Sequence, residues 1–90
     1  MSWRIELSAQ AEKVLFSLDR AAINRIDRFI KERLATADNP RLLGKPLKGA
    51  LGVFWRYRVG DYRLICSIED EKVTLLVVRI GHRRDVYKKG

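Results

Sequence analysis

The spacing of apolar residues changes three times along this chain, and each change marks an element. Trp3, Ile5 and Leu7 alternate with Arg4 and Glu6, the two-residue period of a strand with one covered face. Ser8 follows, and its hydroxyl can accept from the free N–H groups that open a helix. Ala11, Val14, Leu15 and Leu18 then recur at i, i+3, i+4 and i+7, the core stripe of a short helix. Asp19 can cap a second helix, whose stripe is Ile23, Ile26, Ile30 and Leu34, widened by Ala22 and Phe29. Arg25, Arg28 and Glu32 fall on its outer face. Asn39-Pro40 ends this helix, because proline disfavours helical geometry in the residue before it.

Residues 40–52, rich in Gly, Pro and Lys, read as a loop. Beyond them the period drops to two. Residues 53–59 and 62–68 are predicted strands around Gly60-Asp61, a type II′ hairpin signal. Glu69-Asp70-Glu71 is the next turn. Residues 73–80 are almost wholly apolar, which predicts a central strand covered on both faces. Residues 82–90 form a basic tail with room for one helical turn. The order β-α-α-β-β-β predicts an α+β fold in a single domain, residues 1–90, with two helices packed on one face of a mainly antiparallel sheet.

The register of the hairpin follows from its turn. With Gly60 and Asp61 as the loop, Val59 faces Tyr62, Arg58 faces Arg63, Tyr57 faces Leu64, Arg56 faces Ile65 and Trp55 faces Cys66. One face then holds Val53, Trp55, Tyr57, Val59, Tyr62, Leu64, Cys66 and Ile68, a surface suited to lie on the helices. The other holds Phe54, Arg56, Arg58, Arg63 and Ile65. Like charges directly opposite destabilise a strand pair, by a few tenths to about 1 kcal/mol. Three arginines on one hairpin face therefore either splay into water and pair with Asp61, Glu69 or Asp85, or form a seat for an anion such as phosphate.

Charge distribution favours the anion seat. The 90-residue chain carries a formal charge of +8; Lys and Arg exceed Asp and Glu by one in residues 1–40 and by seven in residues 41–90. Such asymmetry points to a polyanionic partner, either nucleic acid or an acidic protein. A second basic cluster, Gly81-His82-Arg83-Arg84-Asp85-Val86-Tyr87-Lys88-Lys89, follows the last strand and adds the single histidine and a tyrosine. Cations near a phenol lower its pKa, so Tyr87 is a candidate for proton transfer. One His and one Cys give no metal cage and no Cys–His dyad, and Cys66 reads as core together with Trp55. Phosphate-cradling glycine motifs are missing, so neither metal nor cofactor is expected. No apolar run reaches membrane-span length, no secretion signal is legible, and one cysteine precludes an internal disulfide; cytoplasm is the expected compartment. Chemistry built from Arg, Tyr and His suits RNA, whose own 2′-hydroxyl is a nucleophile.

Three segments carry a family resemblance: Lys45-Pro46-Leu47-Lys48-Gly49, the run from Trp55 through Leu64, and Gly81 through Tyr87. In this order behind two helices they resemble the RelE branch of the RelE/ParE toxin superfamily, over nearly the whole chain. The resemblance implies a compact microbial-ribonuclease-like fold. It implies an endoribonuclease that cuts mRNA in the ribosomal A site and leaves a 2′,3′-cyclic phosphate. It also implies an acidic, RelB-like antitoxin as partner, with operator DNA reached only through the toxin–antitoxin complex. On its motif positions the catalytic candidates are Arg56, Arg58, Arg63, Arg83 and Tyr87; Lys45, Lys48, Arg84, Lys88 and Lys89 are expected to bind RNA. Arg63 and Arg83 would hold the scissile phosphate, and Arg56 or Arg58 would act on the 2′-hydroxyl. Some relatives carry lysine where this chain has Arg56 and Arg58, and arginine is a poor general base because its pKa exceeds 12. His82 is a further candidate for that role, since some related toxins use a histidine nearby. Two other readings fit the same residues: a ParE-type toxin that acts on DNA gyrase, and a decayed toxin that binds RNA or antitoxin without cutting.

Overall fold

The computed structural model describes residues 2–47 and 54–86. Strand β1 (Arg4–Leu7) leads into α1 (Ala9–Ser17) and α2 (Arg20–Phe29); after them come β2 (Lys45–Pro46), β3 (Phe54–Val59), β4 (Tyr62–Glu69) and β5 (Thr74–His82). The strands form one mixed sheet in the order β1-β5-β4-β3-β2. Only β1 and β5 run parallel; the other pairs are antiparallel. This is the α+β arrangement that the hydrophobic pattern predicts, with one strand more.

Both predicted caps form. Ser8 Oγ accepts from the Ala11 N–H at 3.0 Å, and Asp19 Oδ1 accepts from the Ala22 N–H at 2.8 Å. Ala11 and Leu15 of α1, and Ile26, Ile30 and Leu34 after α2's cap, are buried on the sheet with Tyr57, Leu64, Cys66, Leu75, Val77 and Ile80. Each fully buried aliphatic side chain contributes about 1.5–3 kcal/mol. Among the described residues no helix is long and apolar enough to cross a membrane.

Four local expectations need correction. The second helix does not run on to Asn39-Pro40: α2 gives way to a π turn over Ile30–Leu34, closed by the Ala35 N–H donating to the Ile30 carbonyl at 2.9 Å. In an α-helix, residues four apart drift about 40° around the axis. The wider turn offsets that drift and keeps Leu34 over the core with Ile30. The stretch read as a loop contains a 3-10 turn (Pro40–Leu43) and β2, which pairs with the edge of β3. β5 has neighbours on both sides, yet only its helix-facing side is fully covered; Leu76, Val78 and Arg79 on the other are half-exposed. Finally, Ile65 is buried although it stands on the open face, where the long arginine stems at positions 56 and 79 flank it in register.

A bulge sets the phase of β5. Cys66 pairs with Val77 and Ile65 with Arg79, so Val78 has no partner on β4. Its carbonyl accepts instead from Ser8 Oγ at 2.6 Å, while the Val77 carbonyl accepts from the Ser8 N–H. The extra residue turns Ile80 toward the core and Arg79 toward the open face. One serine thus caps α1 and anchors the bulge.

Candidate functional site

The hairpin takes the register predicted from its turn: Arg58 pairs with Arg63, Tyr57 with Leu64, Arg56 with Ile65 and Trp55 with Cys66. Gly60 has φ +60°, and among the described residues Val73 is the one non-glycine with positive φ, so Asp61 does not share it. One left-handed residue in first position is the type II′ pattern. Tyr57, Val59, Leu64 and Cys66 are buried on the helix side, and Arg56, Arg58 and Arg63 stand on the other.

Across the strands these residues form rows. Lys45, Arg56, Ile65 and Arg79 are successive register partners from β2 to β5; Arg58, Arg63 and Gly81 form the next row. A cavity of about 470 Å³ opens here, lined by Leu42, Leu43, Gly44, Lys45, Arg56, Arg58 and Arg63. Among the described residues its lining has four cations and no carboxylate. Arg63 is steadied through Nη1, which donates to the carbonyls of Gly60 (3.0 Å) and Tyr62 (2.9 Å). Among the described residues Nη2 and Nε make no such bond. Asp61, a conceivable partner for these arginines, lies 3.9 Å from Arg83 Nε instead. Cations gathered around a lining whose described residues include no carboxylate attract an anion, and phosphate matches the geometry of guanidinium donors.

The wall opposite the hairpin is the 3-10 turn, and several contacts hold it. Pro40 is fully buried, and its carbonyl accepts from Tyr57 Oη at 2.8 Å. Burial pushes the Tyr57 phenol well up, so it stays protonated and donates. Asn39 Oδ1 accepts from the Arg41 N–H. The Arg41 guanidinium forks onto Asp70 at 2.9 and 2.7 Å and lies 5.9 Å over the Trp55 ring, which is half-buried beneath it. Gly44 passes close to β3: a Cβ there would lie 2.5 Å from the Arg56 carbonyl oxygen.

Two predictions follow from this wall. Tyr57→Phe leaves the Pro40 carbonyl buried without a donor and is expected to cost about 1–3 kcal/mol in urea unfolding. An unchanged midpoint would mean that the phenol does not tie down the wall. The Asp70 carboxyl is held below its ordinary range chiefly by its hydrogen bonds from Arg41. Its stabilising contribution is therefore full above the usual carboxylate pKa and is lost as pH falls through the lowered one. Asp70→Asn should accordingly flatten the loss of thermal stability on acidification below about pH 4. A variant that tracks the wild type throughout that range would remove the clamp from the account.

The second basic cluster divides between the two faces. His82 pairs with Tyr62 and packs edge-on against its ring at 5.8 Å, which puts it on the helix side of the sheet end. Its Nδ1 accepts from the Arg84 N–H at 3.2 Å. His82 therefore does not line the groove, and the register explains why: it is an even number of residues beyond Ile80, a core position. Arg83 sits at the hairpin tip, where its N–H donates to the Asp61 carbonyl at 2.7 Å. Arg84 is exposed. A turn closed on the His82 carbonyl brings Val86 back over Gly81, beside the row of Arg63. Lys48, Tyr87, Lys88 and Lys89 lie outside the described residues.

The structure adds residues that the pattern of the sequence does not reveal. Leu42, Leu43 and Gly44 close the groove, and Arg79 joins its face. A signal for Arg79 exists: in strict alternation it would share the phase of Leu75 and Val77, so a charge there implies a break in period. Cys66 is core as expected, its thiol pushed up to about 12 by burial and thus no nucleophile. Among the described residues no group of three or more His, Cys, Asp or Glu could hold a metal.

A helix pair lies on one face of a mixed sheet and a cation-lined groove on the other, and comparison with known proteins places this chain in the type II toxin–antitoxin class. The family described as the ParE toxin of the type II toxin–antitoxin system, parDE, matches residues 5–87; the chain belongs to this family, within the RelE/ParE superfamily. It is 29% identical over 89 residues to Toxin RelG of Mycobacterium tuberculosis, covering 99% of this chain and 100% of that one. It is similar to the toxin–antitoxin complex RelBE2 of the same organism, with a TM-score of 0.84 and 28% identity over 92% of this chain and all of the matched one. The archaeal RelE–RelB complex of Pyrococcus horikoshii matches with a TM-score of 0.74 and 28% identity, over 94% of this chain and 99% of the other.

Proposed function

We propose that this chain is a RelE-type toxin that cleaves mRNA in the ribosomal A site and is neutralised by an acidic, RelB-like antitoxin. The observation that carries the reading is the groove in which Lys45, Arg56, Arg58 and Arg63 converge with no carboxylate among the described lining residues. The RelG and RelE names of its relatives, and the RelB partners in their complexes, support it.

The reaction is transesterification. The 2′-oxygen, losing its proton, attacks the adjacent phosphorus; the bond to the 5′-oxygen breaks as that oxygen takes a proton from solvent, leaving a 2′,3′-cyclic phosphate and a 5′-hydroxyl. Negative charge accumulates on the crowded phosphorus, and fixed cations in a preformed groove stabilise it without reorganising. Arg63, its Nη1 tied to the hairpin turn, offers the rest of its fork to the scissile phosphate, and Arg83 approaches from the hairpin tip. Arg56 and Arg58 lower the charge cost of the departing 2′-proton rather than accept it, since guanidinium does not deprotonate at neutral pH. The proton itself passes to Tyr87, to solvent or to a group on the ribosome; the orientation of His82 on the helix side argues against a role for it there. Lys45 and Arg84, with Lys48, Lys88 and Lys89, track the RNA backbone.

The test is a reconstituted translation reaction with the purified, antitoxin-free protein, in which mRNA ends are mapped by primer extension. Cuts confined to the A-site codon and dependent on ribosomes are expected; naked mRNA should stay intact. Absence of cuts with a folded sample would sink the RNase reading. A ParE-type action on gyrase is the second reading, favoured by the description of the matched family. Inhibition of purified gyrase, in a sample that cuts no mRNA, would establish it.

A further inference from the structure

We propose that Leu42 is a ledge for a nucleobase, resting on the RNA-cleaving reading above and adding a base-recognising element to the cation groove. Leu42 is 82% exposed and is one of two large hydrophobics left so exposed among the described residues. It belongs to the cavity wall that faces Lys45, Arg56, Arg58 and Arg63. The other, Phe16, lies on α1 and lines none of that cavity.

A lone exposed leucine is ordinary on a protein surface. The backbone beneath this one is not. Pro40 is fully buried and held by Tyr57 Oη; Arg41 is forked onto Asp70; Leu43 packs on the core; Lys45 pairs with Arg56. Every neighbour of Leu42 in this turn is tied inward, so its side chain is presented outward from a fixed position. A rigid support spares most of the ordering cost of binding.

The placement matches one nucleotide. A single RNA strand alternates an anionic phosphate with a base that has two apolar faces, and its unstacked bases are covered by side-chain planes. Cations on the groove floor take the phosphate while the Leu42 methyls cover the adjoining base. An acidic peptide would also satisfy the cations. An amphipathic helix, however, docks through an apolar stripe several residues long. Among the described residues Leu42 is the one large apolar side chain exposed on this charged rim, which suits a base and not a helix face.

The experiment is fluorescence anisotropy with the purified full chain and short 2′-O-methyl RNA oligonucleotides, whose blocked nucleophile prevents cleavage. One oligonucleotide carries all its bases and a second carries abasic sites. Leu42→Ala should weaken binding of the first about fivefold, no more than the low end of what an aromatic platform contributes, and leave the second unchanged. Leu42→Phe should bind the first as tightly as wild type or more so. Salt dependence should persist in Leu42→Ala, whereas Arg56→Ala should lower its slope by about 0.7, the value for one phosphate contact to a single strand. Wild-type affinity of Leu42→Ala for the base-bearing strand would overturn the proposal. So would an equal loss on both strands, or unimpaired RNA binding with weakened antitoxin binding. If wild type binds neither oligonucleotide better than Arg56→Ala and Arg63→Ala do, the groove by itself does not seat an RNA strand and the ledge falls, whereas the RNA-cleaving reading stands or falls on the ribosome assay above. That result differs visibly from a Leu42→Ala variant that behaves as wild type.

Discussion

Replacing Arg63 with alanine is expected to slow mRNA cleavage by about 10²–10³-fold, the usual loss when one fixed donor to a developing anion is removed. Stability should hardly change, because two small effects oppose each other. The variant loses hydrogen bonds from Nη1 to the Gly60 and Tyr62 carbonyls, worth about 0.5–1.5 kcal/mol each and less where water can replace them. It also relieves the cross-strand repulsion with Arg58, worth a few tenths to about 1 kcal/mol. Arg63→Lys keeps the charge but not the planar fork, and should recover only part of the rate. Arg56→Ala should fall in the same range as Arg63→Ala, since the two lie in adjacent rows of one groove. Single-turnover cleavage on programmed ribosomes, with circular dichroism to confirm folding, decides the matter. Folded variants that cut at the wild-type rate would remove the groove from the chemistry.

Gly44→Ala is expected to damage both fold and function. Its backbone is extended and needs no left-handed conformation, so the demand for glycine is purely one of space. The new Cβ would lie 2.5 Å from the Arg56 carbonyl oxygen and 2.8 Å from two carbons of the Tyr57 ring. The first is backbone in a paired strand and the second a fully buried ring, so neither yields cheaply. Overpacking of this kind costs about 1–3 kcal/mol, and each kcal/mol lowers the melting temperature of a domain this size by about 4–8 °C. Relief comes by pushing residues 40–44 away from β3, which widens the groove and displaces Lys45 and Leu42. Cleavage should therefore drop even at temperatures where the variant stays folded. Thermal unfolding within about 2 °C of wild type would show that the wall gives way freely and is not a fixed part of the site.

Much of the architecture is written in short stretches of sequence. Ser8 and Asp19 cap their helices because each needs only a hydroxyl or carboxylate two or three residues before a helical N–H. The hairpin register follows from Gly60-Asp61, since a two-residue turn leaves one way to align alternating strands. Arg56, Arg58 and Arg63 thus fall on one face by counting alone. The hairpin is also one of the three segments that carry the family resemblance.

Short-range pattern therefore sets the helices, the hairpin, its faces and the excess of cations on one of them. Tertiary structure alone decided the rest. β1 lies beside β5 through a pairing across some seventy residues, which no short-range pattern encodes. The Val78 bulge shifts the phase of β5 because Ser8, far away in sequence, takes up the freed carbonyl; one inserted residue then moves Arg79 to the open face. The same register carries His82 away from the groove, although it is adjacent in sequence to Arg83. Leu42 and Gly44 acquire meaning only when Tyr57 and Asp70 hold the 3-10 turn against the hairpin. Period and turn chemistry act over a few residues, whereas a groove is made where distant segments meet, and its walls depend on contacts that have no local signature.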